Sequence, residues 1–171
     1  SRMSWQKNIF NALLALNVRQ VAYVPDAGHT EVIRGANEDA RMNAIPLSTE
    51  EEGVAVLAGA WLGGERGVLL MQSSGVGNCV NMLSLVKTCQ FPLLVLVTMR
   101  GQEGEPNFWQ NPMGSITGDV LSLAGLEVRT IDQRETAGDM VAAAGEQVFS
   151  EERAMALLIE QKVIGVKKFG D

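Results

Sequence analysis

Three consecutive carboxylates, Glu50-Glu51-Glu52, stand directly before an apolar run of small residues, Gly53 to Leu62. Ser48-x-x-Glu51 and Thr49-x-x-Glu52 each fit a capping box, and an anion in a first helical turn gains roughly 0.3–1 kcal/mol from the helix dipole. Capping accounts for one or two of the glutamates. A third exceeds that need, so a carboxylate aimed at a bound group stands as the second reading. The stretch "MQSSGVGN" (71–78) sets Ser73, Ser74, Gly75 and Gly77 between an apolar run and a helical one. Glycines there allow close backbone approach to a ligand. The spacing is not G-x-G-x-x-G, and no Gly-Lys-Ser/Thr follows, so neither nucleotide fingerprint applies. "PDAGH" (25–29) places Asp26 near His29, the single histidine of the chain. One histidine defines no catalytic triad, and no cluster has metal-ligand spacing, so no metal site is expected on this chain. Residues 100–114 carry Arg100, Gln102, Asn107 and Gln110 beside Phe108-Trp109. An Arg flanked by amides suits an anionic group. Loops of this length are functional lids or disordered segments.

These residues need a scaffold, and the hydropathy pattern supplies one. Helical spacing covers Trp5–Leu16, Thr30–Asp39, Glu50–Leu62, Gly75–Thr88, Ser115–Ala124 and Glu135–Phe149. Between them lie short apolar strands: "VRQVAYVP", "MNAIPLS", "RGVLLMQ", "PLLVLVTM", "LEVRTI" and "AMALLIEQ". Six strands alternating with helices predict an α/β fold: a three-layer, doubly wound, mainly parallel six-stranded sheet with helices on both faces. "PLLVLVTM" is the most apolar strand and is expected at the centre. Ligands of such sheets bind beyond the carboxyl ends of the strands, where "PDAGH", "STEEE", "QSSGVGN" and the 100–114 loop all fall. The absence of repeats and linkers predicts one domain over residues 3–171. Ser1-Arg2 before Met3 reads as an expression scar.

The chain has 171 residues and a formal net charge of −6. That balance, with no basic cluster beyond Lys167-Lys168, speaks against nucleic acid as the ligand. Cys79 and Cys89 have no CxxC or zinc context and read as reduced thiols of a cytoplasmic protein. There is no signal-peptide pattern and no apolar run of bilayer length, so no membrane association is expected.

The succession "TEEEGVAVLAGA", a strand, then "MQSSGVGNCVN" resembles the pyrimidine-binding (PYR) domain of thiamine diphosphate enzymes. Glu50 and Gly59 match that family's nine-residue spacing, and Ser74-Gly75-Val76-Gly77-Asn78 matches its turn. "MRGQEGEPN" and "PMGSITGDVLSLAGLEV" are similar to stretches of its sulfopyruvate and phosphonopyruvate decarboxylases, and the whole resembles an alpha-type chain. The likeness runs over residues 5 to 160.

The resemblance implies that Glu50 is the catalytic carboxylate, hydrogen-bonded to N1′ of the cofactor's aminopyrimidine and promoting its activation for attack on a 2-oxo acid. A register one residue later would give the role to Glu51. Pro25, Ser73, Ser74, Gly75 and Asn78 are the other residues it assigns to the cofactor. Asp26, His29, Arg100 and Gln102 are candidates for the substrate, a 2-oxo acid with an anionic head such as sulfonate or phosphonate. The residue before Glu50 is Thr49 rather than His, and the paired histidines of many pyruvate decarboxylases are absent. The Gly-Asp-Gly…Asn motif that holds Mg²⁺ and the diphosphate in this family is also absent. A beta-type partner carrying the diphosphate-binding (PP) domain and the Mg²⁺ is therefore implied, along with self-association of PYR domains. A thiamine diphosphate carboligase or synthase subunit, or a non-catalytic scaffold that kept the fold, are the alternatives.

Overall fold

The computed structural model describes residues 3–165, so Ser1-Arg2 and the Lys167-Lys168 pair lie outside the described residues. The elements run α1 (Trp5–Ala15), β1 (Val18–Tyr23), α2 (Thr30–Glu38), β2 (Asn43–Pro46), α3 (Glu50–Leu62), β3 (Arg66–Gln72), α4 (Ser73–Val76), α5 (Ser84–Cys89), β4 (Leu93–Thr98), α6 (Asn111–Leu123), β5 (Glu127–Ile131), α7 (Ala137–Glu151), β6 (Ala154–Ile159) and α8 (Gln161–Ile164). All strand pairs are parallel, in the order β2-β1-β3-β4-β6-β5. The fold is the three-layer α/β arrangement expected. After β2 the chain crosses to the other side of β1, so the topological switch point lies between β1 and β3, the place where such sheets open a crevice at their carboxyl edge.

Side-chain alternation along each strand builds the two layers. Val21, Leu70, Leu96 and Leu157 join Ile9, Phe10, Leu13, Val32 and Val141, burying α1, α2 and α7 on one face. Leu69, Met71, Val95 and Val97 join Val54, Leu57, Val76, Val86 and Leu121, burying α3 to α6 on the other. Every residue of β4 is buried, which fits its expected central place.

Two local expectations are corrected. The helix expected over 75–88 is broken into α4, a 3₁₀ turn at Gly77–Cys79, and α5. Gly75, Gly77 and Asn78 are weak helix formers, and the Asn78 side chain is drawn off to Glu50. Within 100–114, α6 starts at Asn111 rather than Ser115. Pro112 sits in the first turn, where its missing N–H leaves no bond unmade.

The two edges of the sheet are built differently. At the amino edge, the links into β1, β3, β4, β5 and β6 each contain a residue of positive φ: Asn17, Gly64, Gln90, Gly125 and Glu152. At the carboxyl edge, Gly101 (φ +70°) and Gly104 (φ +84°) shape the segment after β4. A Cβ on Gly101 would strike the carbonyl of Gln110, whereas one on Gly104 would meet nothing within 4 Å. Gly101→Ala is therefore expected to lower unfolding free energy by about 2–3 kcal/mol and Gly104→Ala by about 1 kcal/mol, in urea titrations of the two variants.

Candidate functional site

The crevice at the switch point is organised by Asp26, just beyond β1. Its Oδ1 accepts from Gln72 Nε2 (2.8 Å). Its Oδ2 accepts from Thr98 Oγ1 (2.7 Å) and from the Gly28 amide (3.0 Å). One carboxylate thus joins the ends of β1, β3 and β4. Burial alone would raise its pKa. The Thr98 and Gln72 side chains and the Gly28 amide outweigh burial and hold it below the ordinary carboxylate range.

Because Asp26 can only accept, Gln72 must turn its nitrogen toward it. Gln72 Oε1 then accepts from Ser74 Oγ (2.6 Å) and Gln110 Nε2 (3.1 Å). The direction of each bond is inherited from the carboxylate. At the end of the chain, Gln110 Oε1 is buried with no hydrogen-bond partner among the described residues.

His29 does not stand open in the crevice. It is 1% exposed, and its Nε2 lies 3.0 Å from the Met71 carbonyl, an acceptor that places the proton on Nε2. Burial holds its pKa below the ordinary imidazole range, against the opposing pull of that carbonyl and of Asp26. His29 is a neutral prop beneath Asp26.

The three glutamates divide the work between them. Glu52, rather than Glu51, reaches back to the backbone N–H of Ser48 (3.3 Å). Glu51 lies exposed near the Thr49 hydroxyl. Glu50, half-buried, turns across to the glycine turn after β3, where Asn78 Nδ2 donates to its Oε2 (2.9 Å). A Cβ on Gly75 would stand 2.5 Å from this carboxyl group, so only glycine lets Glu50 lie there. The 72–78 turn is thus in contact with both Asp26 and Glu50. Cys79 beside it is buried, and desolvation with the charges of Glu50 and Glu51 pushes its thiol up to about 12, far from reactive. Ser73 is also buried; its Oγ accepts from the Arg100 amide (2.9 Å), linking α4 to the end of β4. Pro25 is exposed at the crevice rim.

Residues 100–107 form a knot tied on one carboxylate, not a lid. Glu105, with its side chain 1% exposed, accepts from Arg100 Nε (2.7 Å) and Nη2 (2.6 Å), the Gly101 and Asn107 amides, and Gln161 Nε2. Gln102 is spent on α8: its amide donates to Gln161 Oε1, and its own Oε1 accepts the Gln161 amide. Arg100, expected as a free cation, is neutralised by a bidentate ion pair. Gln72, Thr98, Glu105 and Gln161 carry this arrangement without having stood out in the sequence. The signal for the first two was their place, single polar residues closing apolar strands. Among the described residues no group of His, Cys, Asp or Glu is placed to hold a metal ion.

The Arg100 pair, helped by the Gly101 and Asn107 amides and Gln161 against the cost of burial, brings the Glu105 pKa from 4.5 down to about 2. A group more acidic folded than unfolded stabilises fully above its unfolded pKa and loses that contribution as pH falls toward its folded one. The knot is therefore expected at full strength above about pH 4.5 and to loosen as pH drops toward 2. Amide exchange at Gly101 and Asn107 reads this directly, and Glu105→Gln should remove the pH dependence.

Comparison with known proteins agrees with this geometry. Residues 3–123 match the family model of the thiamine pyrophosphate enzyme, N-terminal TPP binding domain. The sulfopyruvate decarboxylase subunit alpha of Methanococcus maripaludis is 33% identical over 159 residues, 92% of this chain and 95% of that protein. The phosphonopyruvate decarboxylase of Streptomyces viridochromogenes is 36% identical over 155 residues, but the match spans 39% of its length. In structure, the 2-oxoglutarate:ferredoxin oxidoreductase of Magnetococcus marinus superposes with a TM-score of 0.74 at 16% identity, over 95% of this chain and 29% of that one, which speaks for the fold. With a glutamate seated on a glycine turn at the switch point, and with these matches over most of its length, the chain belongs to the family of thiamine pyrophosphate enzyme N-terminal, TPP-binding domains.

Proposed function

We propose that this chain is the PYR (alpha) subunit of a two-chain thiamine diphosphate-dependent decarboxylase acting on an anionic 2-oxo acid of the sulfopyruvate or phosphonopyruvate type. The observation that carries the reading is the placement of Glu50. Asn78 occupies one carboxylate oxygen, Gly75 makes room for the group, and the other oxygen has no partner among the described residues. A half-buried carboxylate with one oxygen committed and one open fits the ring nitrogen of an aminopyrimidine. When bound, the cofactor supplies the carbon nucleophile and the electron sink for loss of CO₂. Glu50 would share a proton with N1′ of that ring, and the partly desolvated setting strengthens the bond over its value in water. Pro25, Ser74, Gly75 and Asn78 border the same turn and would shape the ring's seat. Ser73 would act through the backbone it holds, and Asp26 and His29 through the order they impose on the strand ends.

Two observations favour a partner chain. The 171 residues contain no Gly-Asp-Gly with a following Asn to hold Mg²⁺ and a diphosphate. Large apolar side chains also stand out on the α3–α6 layer, with Leu62 89%, Leu123 80% and Phe108 81% exposed, an arrangement typical of a surface that another chain covers. A beta-type subunit bearing the PP domain, with its Mg²⁺, and a second PYR domain would cover it, within the cytoplasm. No described helix is long and apolar enough to cross a membrane.

The test is to isolate the protein with its native partner and assay CO₂ release from sulfopyruvate and phosphonopyruvate with thiamine diphosphate and Mg²⁺. The complex should be active and the isolated chain inactive. Glu50→Gln should lower kcat by about 100-fold or more while Glu51→Gln stays close to wild type. Product analysis separates simple decarboxylation from transfer to a second carbonyl. Full activity in Glu50→Gln would remove the assignment.

A further inference from the structure

A substrate with two acidic groups needs a cation, and the structure redirects attention from the one that its loop suggested. Arg100 gives Nε and Nη2 to Glu105, and the pair is close to neutral as a unit. Another guanidinium lies at the same edge of the sheet. A cavity of about 630 Å³ opens beyond β1, lined by Pro25, Asp26, Ala27, Thr30, Ile33 and Arg34. That volume is in the range of small-molecule sites. Thr30, Ile33 and Arg34 stand at i, i+3 and i+4 of α2 and therefore share one face. Val32 and Ala36 take the buried face, and Ile33 packs partly on the core, which holds this part of α2 in place.

Arg34 is exposed, and among the described residues its side chain makes no hydrogen bond or ion pair. Asp26 shares the cavity, but both its oxygens are already engaged by Gln72, Thr98 and Gly28. It competes little for Arg34. Because Asp26 also anchors the crevice through Gln72, the cavity and the crevice are parts of one continuous site.

We propose that Arg34 is the specificity residue of this subunit, gripping the sulfonate or phosphonate head of the substrate through its guanidinium fork. A guanidinium presents paired N–H groups to two oxygens of such a head, and a simple 2-oxo acid such as pyruvate lacks that head. Thr30 Oγ1 donates to the Ala27 carbonyl (2.9 Å), which fixes the first turn of α2 and, with it, the direction from which Arg34 reaches the cavity. The inference rests on the anionic-substrate reading above and names the group that would enforce it.

The experiment compares Arg34→Ala, Arg34→Lys and Arg100→Ala in the assembled complex, with sulfopyruvate, phosphonopyruvate and pyruvate as substrates. Arg34→Ala is expected to raise KM for the two headed substrates on the order of 10- to 100-fold, to move KM for pyruvate far less, and to leave kcat near wild type. Arg34→Lys should recover part of the loss. Arg100→Ala, which strands the Glu105 carboxylate, should lower the melting temperature and affect all substrates alike. As a reading independent of turnover, phosphonoacetate titrated into the ¹⁵N-labelled chain should shift the Arg34 Nε resonance, and Arg34→Ala should weaken binding by calorimetry. If Arg34→Ala changes all substrates equally, or none, while the wild-type complex prefers the headed ones, the assignment of Arg34 is overturned and the function stands. If the wild-type complex shows no such preference, the substrate reading fails and this inference falls with it.

Discussion

One carboxylate sets the polarity of the whole carboxyl edge. Asp26 can accept hydrogen bonds but not donate them, and that asymmetry travels outward. It turns the Gln72 amide, which turns Ser74 and Gln110, which leaves an oxygen at the far end. The neutral His29 below it supplies support without a competing positive charge. The strands bring these groups to one edge, but the carboxylate decides which atom each one shows. The glycine turn against which Glu50 rests is the next segment of the same chain.

Beside this sits a second, self-contained knot around Glu105. Five donors converge on a carboxylate almost without solvent exposure, so residues 100–107 hold their form through internal bonds. The arrangement removes Arg100 from the supply of free charge and keeps the loop standing beside the crevice. Order in an irregular segment comes here from saturation of one strong acceptor, in the absence of any regular ladder.

The periodic features were legible in the residues themselves. Alternating apolar strands and helical stripes foretold the layers, the parallel sheet and the central place of "PLLVLVTM". The excess of glutamates at 50–52 pointed to a carboxylate with a second use, and Glu50 is the one turned away from the helix cap. The rest depended on pairings that local pattern does not encode. Glu105 finds Gln161 fifty-six positions away, and Asp26 finds Thr98 seventy-two away. Those bonds convert an expected lid into a fixed ledge and an expected free arginine into a paired one. The break after Val76 was signalled by Gly75, Gly77 and Asn78, whose poor helix propensity was outvoted by the apolar spacing around them.

The division between the sheet's two edges has an evolutionary consequence. The polar network sits at the carboxyl edge, while the left-handed links that let the chain re-enter the sheet, at Asn17, Gly64, Gln90, Gly125 and Glu152, sit at the other. Three of those five are not glycine, although glycine adopts that backbone with the least strain. Mutational drift can thus raise or lower the robustness of the scaffold at one end of the strands while the other end is refined for a ligand. A fold divided in this way can change its chemistry and its durability along separate lines of descent.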